Sequence, residues 1–121
     1  MAYSADAITW TAITTTSRIC TSLGYNGSKY LSLTSHSDDF YVTILNSSDG
    51  ITWTRDTVAE TTFRANNTSV PGITGCIVNN GNNWLMVGGI IMYSTDNAIT
   101  WNHNASVGSN NITSILSLIH I

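Results

Sequence analysis

The chain has 121 residues and a formal net charge of −3, and only 9% of its residues are charged. Its four cations, Arg18, Lys29, Arg55 and Arg64, are scattered and build no basic stripe, so a nucleic-acid backbone is excluded as a partner. No apolar run reaches the ~20 residues of a membrane helix, and no cationic region precedes an apolar stretch at the N-terminus, so neither a membrane span nor a signal peptide is expected.

In chain order, residues 1–14 read as two short extended stretches around Tyr3-Ser4-Ala5-Asp6-Ala7-Ile8-Thr9-Trp10. Residues 17–57 read as four strands, labelled A to D. Ile19–Tyr25 and Tyr30–Leu33 flank Asn26-Gly27, a strong hairpin signal because both residue types tolerate positive φ. Phe40–Leu45 is the third strand and Ile51–Thr54 the fourth. Residues 71–104 repeat the plan: Ile73–Val78, Asn80-Gly81, Trp84–Val87, then Gly89–Tyr93 and Ile99–Asn102. Ile112–Leu116 begins another first strand. No 3.6-residue helical period is visible anywhere, so no helix is expected. Cys20 and Cys76 occupy non-equivalent positions in apolar runs and read as two buried small hydrophobes rather than a disulfide. The last residues, Leu116–Ile121, resemble the translation of a transposon-based sequencing adaptor, which implies natural sequence ending near Ile115. A genuine terminal strand is the alternative.

Three copies of one pattern set the period. They are Ser4-x-Asp6-Ala7-x-x-Trp10, Ser47-x-Asp49-Gly50-x-x-Trp53 and Ser94-x-Asp96-x-Ala98-x-x-Trp101, with tryptophans 43 and 48 residues apart. A period in the forties is that of a four-stranded propeller blade. The pattern sits on the turn between strands C and D. There Asp and Ser can accept hydrogen bonds from turn amides, and Trp can pack between neighbouring units. Ile8, Ile51 and Ile99 are expected to share the strand face of the Trp two positions later.

The pattern resembles the Asp-box, or BNR repeat, of sialidase-like β-propellers. The third copy has that family's spacing, with Ala98 in place of the usual Gly. The first two are one residue tighter and look closer to the Ser-x-Asp-Gly-x-x-Trp repeats of phage, viral and bacterial surface proteins. The resemblance implies an all-β fold, a β-propeller segment of antiparallel four-stranded blades forming one partial domain over residues 1–121. The end of a blade would lie at 1–14, full blades at 17–57 and 71–104, and a further first strand at 111–121. It also implies that Ser4, Asp6, Trp10, Ser47, Asp49, Trp53, Ser94, Asp96 and Trp101 are scaffold, away from any active site.

Antiparallel order puts the A–B and C–D turns at one end of the units and the B–C and D–A loops at the other. Binding residues are expected on that second face. The B–C loop carries His36, Asp38 and Asp39, and the D–A loop from Asp56 to Val70 carries Glu60 and Arg64. These five read as a binding, metal or acid/base cluster, or alternatively as charge that keeps a loop solvated; no ligand spacing is recognisable. The chemistry of sialidases is not supported. It needs three arginines on the substrate carboxylate, a tyrosine–glutamate pair and an aspartate acid, and here no arginine-isoleucine-proline motif surrounds any of the three arginines.

The expected function is a non-catalytic module of a virion or cell-surface protein that binds a glycan or a protein through its loops, with no cofactor and no metal. Its expected partners are the remaining blades of a longer chain or identical copies. The alternative is a fragment of a sialidase-like or other glycoside hydrolase propeller whose catalytic residues lie outside this chain.

Overall fold

In the computed structural model the described residues are 2–13, 19–35, 43–66, 75–87 and 90–103. They form an all-β antiparallel structure with one short helix. Strands β1 (Ala2–Tyr3) and β2 (Thr11–Ala12) make a two-stranded hairpin. Strands β3 (Ile19–Tyr25), β4 (Tyr30–Ser35), β5 (Thr43–Ser47) and β6 (Thr54–Arg55) form a middle sheet in sequence order. Helix α1 (Thr57–Asn66) follows. A last sheet holds β7 (Cys76–Asn80), β8 (Asn83–Val87), β9 (Ile91–Ser94) and β10 (Asn102–His103), again in sequence order.

The two sheets have the same register. Tyr25 pairs with Tyr30 and Tyr30 with Ser47 in one; Asn79 pairs with Trp84 and Trp84 with Ser94 in the other. Directly paired residues of an antiparallel ladder share a face, and faces alternate along a strand. Each sheet therefore has a front face, bearing Tyr30 or Trp84 and the motif tryptophan, and a rear face. The rear of the middle sheet (Leu31, Leu33, Ile44) packs on the front of the last sheet (Ile77, Trp84, Met86, Met92) in one core. The first strands meet across this interface: the Ser22 hydroxyl accepts from the Ile77 amide at 3.0 Å, and Asn79 Nδ2 donates to the Tyr25 carbonyl at 3.0 Å. Gly24 permits the approach, since a Cβ there would lie 2.8 Å from the Trp84 ring. A bulge between Cys20 and Ser22 turns Cys20 to the front face, so that it is exposed rather than buried as its apolar run suggested, and leaves Ser22 at the rear.

The structure corrects three local expectations. The D–A connection is not all loop, because α1 occupies Thr57–Asn66. Asp56 caps it: Oδ1 accepts from the Ala59 amide at 3.0 Å and the Asp56 carbonyl accepts from Glu60. Ala59 and Phe63, one turn apart, enter the core, and the helix packs against β5 and β10. Second, the fourth strands are two residues long and begin after the tryptophans. Ile8, Ile51 and Ile99 lie in bends and are exposed. Third, in the hairpin of the last sheet Asn80 belongs to the strand and the turn residues are Gly81-Asn82, with φ 60° at Gly81; in the middle sheet Gly27 has φ 97°. Glycine alone takes the positive φ in both hairpins.

Candidate functional site

The Ser/Asp/Trp tips are built the same way three times. In the first, Asp6 Oδ1 accepts from the amides of Ile8 (2.8 Å) and Thr9 (2.7 Å) and from the Ser4 hydroxyl (2.9 Å). In the second, Asp49 Oδ1 accepts from Ile51 (2.8 Å), Thr52 (2.7 Å) and the Ser47 hydroxyl (2.9 Å). In the third, Asp96 Oδ1 accepts from Ile99 (3.1 Å), Thr100 (2.9 Å) and the Ser94 hydroxyl (2.7 Å), and Oδ2 accepts from the Thr100 hydroxyl. One carboxylate oxygen thus gathers donors that the bend would otherwise leave unpaired. The Thr9 amide, then the Ile8 amide and the Ser4 hydroxyl, lower the Asp6 pKa from 3.8 to about 2. The amides of Thr52 and Ile51 and the Ser47 hydroxyl do the same for Asp49. Asp96 is lowered further, chiefly by the Thr100 hydroxyl and amide.

Each tip also needs left-handed backbone, supplied by Ala7 (φ 60°) in the first, Gly50 (φ 74°) in the second, and both Asn97 (φ 61°) and Ala98 (φ 61°) in the third. Only the second copy has the residue for which this conformation is free of strain.

The one-residue insertion in the third copy has a structural purpose. Asn97 reaches back to the middle sheet, where its Oδ1 accepts from Asn26 Nδ2 at 2.8 Å and its carbonyl accepts from Lys29 Nζ at 2.9 Å. Within the last sheet the Asn97 amide donates to the Asn82 carbonyl and Oδ1 accepts from Trp84 Nε1 at 3.2 Å. Asn26 Nδ2 also donates to the Gly81 carbonyl at 3.0 Å. Both A–B turns and a C–D tip therefore meet at one end of the molecule in a polar latch. The insertion is its only local sign in the sequence, and contacts spanning 68 to 71 residues have no local signature. The motif indoles differ accordingly. Trp53 Nε1 donates to the Gly50 carbonyl at 3.0 Å, whereas the buried Trp101 Nε1 has no acceptor among the described residues.

The tryptophans occupy three different surroundings. Trp101 is 6% exposed in the core between the sheets, Trp53 is half-buried, and Trp10 is 63% exposed. Trp53 borders a groove of about 480 Å³ between the β1–β2 hairpin and the front of the middle sheet, lined also by Tyr3, Ile13, Leu23 and Tyr30. The Tyr25 and Tyr30 rings stack at 4.0 Å, and the Trp53 ring lies tilted 6.2 Å from Tyr30.

The proposed loop cluster is not assembled in the described residues. His36, Asp38 and Asp39 lie outside them, as does the side chain of Arg64. Glu60 is a buried structural group. Its carboxylate takes Arg55 Nε and Nη2 at 2.7–2.8 Å, and Oε1 accepts from the Ile44 amide at 3.1 Å, so the pair pins α1 to the middle sheet. Among the described residues no three His, Cys, Asp or Glu side chains are grouped to hold a metal, and no helix is long and apolar enough to cross a membrane. Comparison with family models, curated proteins and solved structures returned no match.

Proposed function

We propose that the chain is a non-catalytic β-propeller module of a phage, viral or cell-surface protein. In this reading each antiparallel unit is a blade, the Ser/Asp/Trp tips are Asp-boxes that brace one end, and the loops at the other end bind a glycan or a protein. Remaining blades of a longer chain or identical copies complete the ring. One observation supports the reading above others: the rear of the middle unit packs on the front of the last with the Trp101 indole in the core between them, and all three units carry the same carboxylate-centred tip. Two measurements test the proposal. Electron micrographs of the module in its native assembly are expected to show a ring with a central channel; an open stack would overturn the propeller. Glycan-array binding is expected to disappear when His36, Asp38 and Asp39 are replaced by alanine; silence of the unaltered protein across arrays would remove the glycan.

A further inference from the structure

Glycine follows an Asn or Asp at three places in the chain: Asn26-Gly27, Asp49-Gly50 and Asn80-Gly81. Such a step is chemically labile. Glycine has no Cβ, so its backbone nitrogen can approach the carbonyl carbon of the preceding side chain and close a five-membered imide. The three steps have different surroundings.

At Asn26 the whole carboxamide is engaged. Nδ2, the group that would have to leave, donates to the Gly81 carbonyl at 3.0 Å and to Asn97 Oδ1 at 2.8 Å. Oδ1 accepts from the amides of Ser28 (3.1 Å) and Lys29 (2.9 Å) and from the Ser28 hydroxyl (3.1 Å). At Asp49 the carboxylate is held by its tip donors. The attacking nitrogen is occupied there too, since the Gly50 amide donates to Ser47 Oγ at 2.9 Å. At Asn80 neither group is held. The residue is exposed, and its side chain makes no hydrogen bond among the described residues. Asn80 pairs with Asn83, which leaves Gly81 outside the ladder, and the Gly81 amide donates to no described residue.

We propose that Asn80 is a site of spontaneous deamidation and that its modification undoes the latch between the two sheets. Gly81 N attacks Asn80 Cγ and gives up its proton. The new N–C bond replaces the Cγ–Nδ2 bond, and ammonia leaves. Water then opens the imide at one of its two carbonyls. One opening gives aspartate. The other gives isoaspartate, whose backbone runs through the former side chain and is one methylene longer. Water is the only co-reactant, and either product adds a negative charge.

The turn that lengthens is the one that holds the latch. Its two residues, Gly81 and Asn82, each offer a carbonyl: one accepts from Asn26 Nδ2, the other from the Asn97 amide at 2.9 Å. An added methylene moves both carbonyls away from their donors. Asn26 Nδ2 then loses an acceptor, so the first conversion unclamps the second labile step.

The test ages the whole folded chain in warm, mildly alkaline buffer and follows its tryptic peptides by mass spectrometry. Residues 19–29 carry Asn26 and residues 65–121 carry Asn80, and fragmentation locates the one-dalton gain. Asn80 is expected to convert at least about tenfold faster than Asn26, which must first break several hydrogen bonds. In denaturant the two rates are expected to converge. Asn82 and Asn83 are exposed as well but precede Asn and Trp, and are expected to lag behind Asn80. Asn97→Ala removes one acceptor of Asn26 Nδ2 and is expected to speed conversion at Asn26 alone. Amide exchange at Asn97 is expected to rise with isoaspartate content. It is expected to stay low in Asn80→Gln aged alongside, because glutamine closes its six-membered imide far more slowly. Equal rates at Asn26 and Asn80 in the folded chain, or a faster Asn26, would overturn the site. Exchange at Asn97 that rises equally in aged Asn80→Gln, or stays flat in the converted chain, would overturn the link to the latch.

Discussion

The middle sheet meets a neighbour on each side, and the two junctions can be compared position by position. Behind it, Leu31, Leu33 and Ile44 close on Trp84, Met86 and Trp101 with α1 as a wedge, and Asn97 ties the turns together. In front of it, Leu23, Tyr30 and Trp53 border a groove shared with the β1–β2 hairpin. The tip chemistry is the same on both sides. What differs, among the described residues, is how deeply the motif indole is covered: Trp101 is 6% exposed and Trp53 is half-buried. A tip therefore closes its own unit, and burial between units does the rest. In a repeat architecture, stability is approximately a sum of such unit and interface terms.

The largest test of this contrast is the tryptophan series. Trp101→Ala opens the filled junction and is expected to cost about 3–5 kcal/mol, as truncation of a buried indole usually does. Trp53→Ala, whose indole is half-buried, is expected to cost roughly half as much, and Trp10→Ala less than about 0.5 kcal/mol, as for a surface side chain. Denaturant unfolding of the three variants gives the order directly. Equal losses would mean that the tips, not the junctions, carry the role of the indole.

Asn97→Ala comes next. It removes the acceptor of Asn26 and leaves the Trp84 indole N–H buried without its partner, which is expected to cost about 1–3 kcal/mol. Amide exchange is expected to rise in β3 and β7 together, because the latch joins their turns. A loss confined to the last sheet would show that Asn97 acts only within its own tip.

How much of this was legible in the sequence follows the range of each interaction. The tips were legible, because each hydrogen bond within them spans at most four residues. The order of strands was legible too, since Asn-Gly signals and apolar runs recur with one spacing. Helix α1 was not. It offers two core positions, Ala59 and Phe63, diluted by the β-branched Thr61 and Thr62, and its clearest cue was Asp56 as a cap with Glu60 in the first turn. The fourth strands were drawn too long because the carboxylates hold residues 51–52 and 99–100 in bends. Glu60 looked like a site residue by its type; its burial against Arg55 depends on a helix the pattern did not reveal.

The left-handed positions allow a finer comparison among the tips. Gly50→Ala is expected to lose about 1 kcal/mol from backbone strain, and its new Cβ would stand 3.4 Å from the Tyr30 ring. Ala7→Gly is expected to gain a similar amount locally, about 1 kcal/mol, since that residue is exposed. Ala98→Gly is expected to change little, because relief of strain is offset by losing a methyl buried in the core, worth about 0.8 kcal/mol. Thermal melts of the three variants check the signs. A gain at Ala98 as large as at Ala7 would mean that its methyl packs on nothing.

Acid provides the smallest perturbation near neutrality and separates the tips by their donors. Asp6 and Asp49 titrate near 2 in the folded chain against an ordinary 3.8, and Asp96 lies lower still. A carboxylate lowered on folding contributes stability that is fully present above the unfolded value and is lost as pH falls toward the folded one. Melting temperature is therefore expected to be flat from pH 7 to about 5 and to fall between about 4 and 2. Carboxyl shifts followed by NMR are expected to move for Asp6 and Asp49 while Asp96, with the Thr100 hydroxyl on its second oxygen, still reports a carboxylate. Thr100→Val removes that hydroxyl and keeps the amide, so Asp96 should then titrate with the other two. If Asp96 stays apart, its low value comes from the Thr100 and Ile99 amides and the Ser94 hydroxyl rather than from the Thr100 hydroxyl, and the tips are not the equivalent closures their geometry indicates.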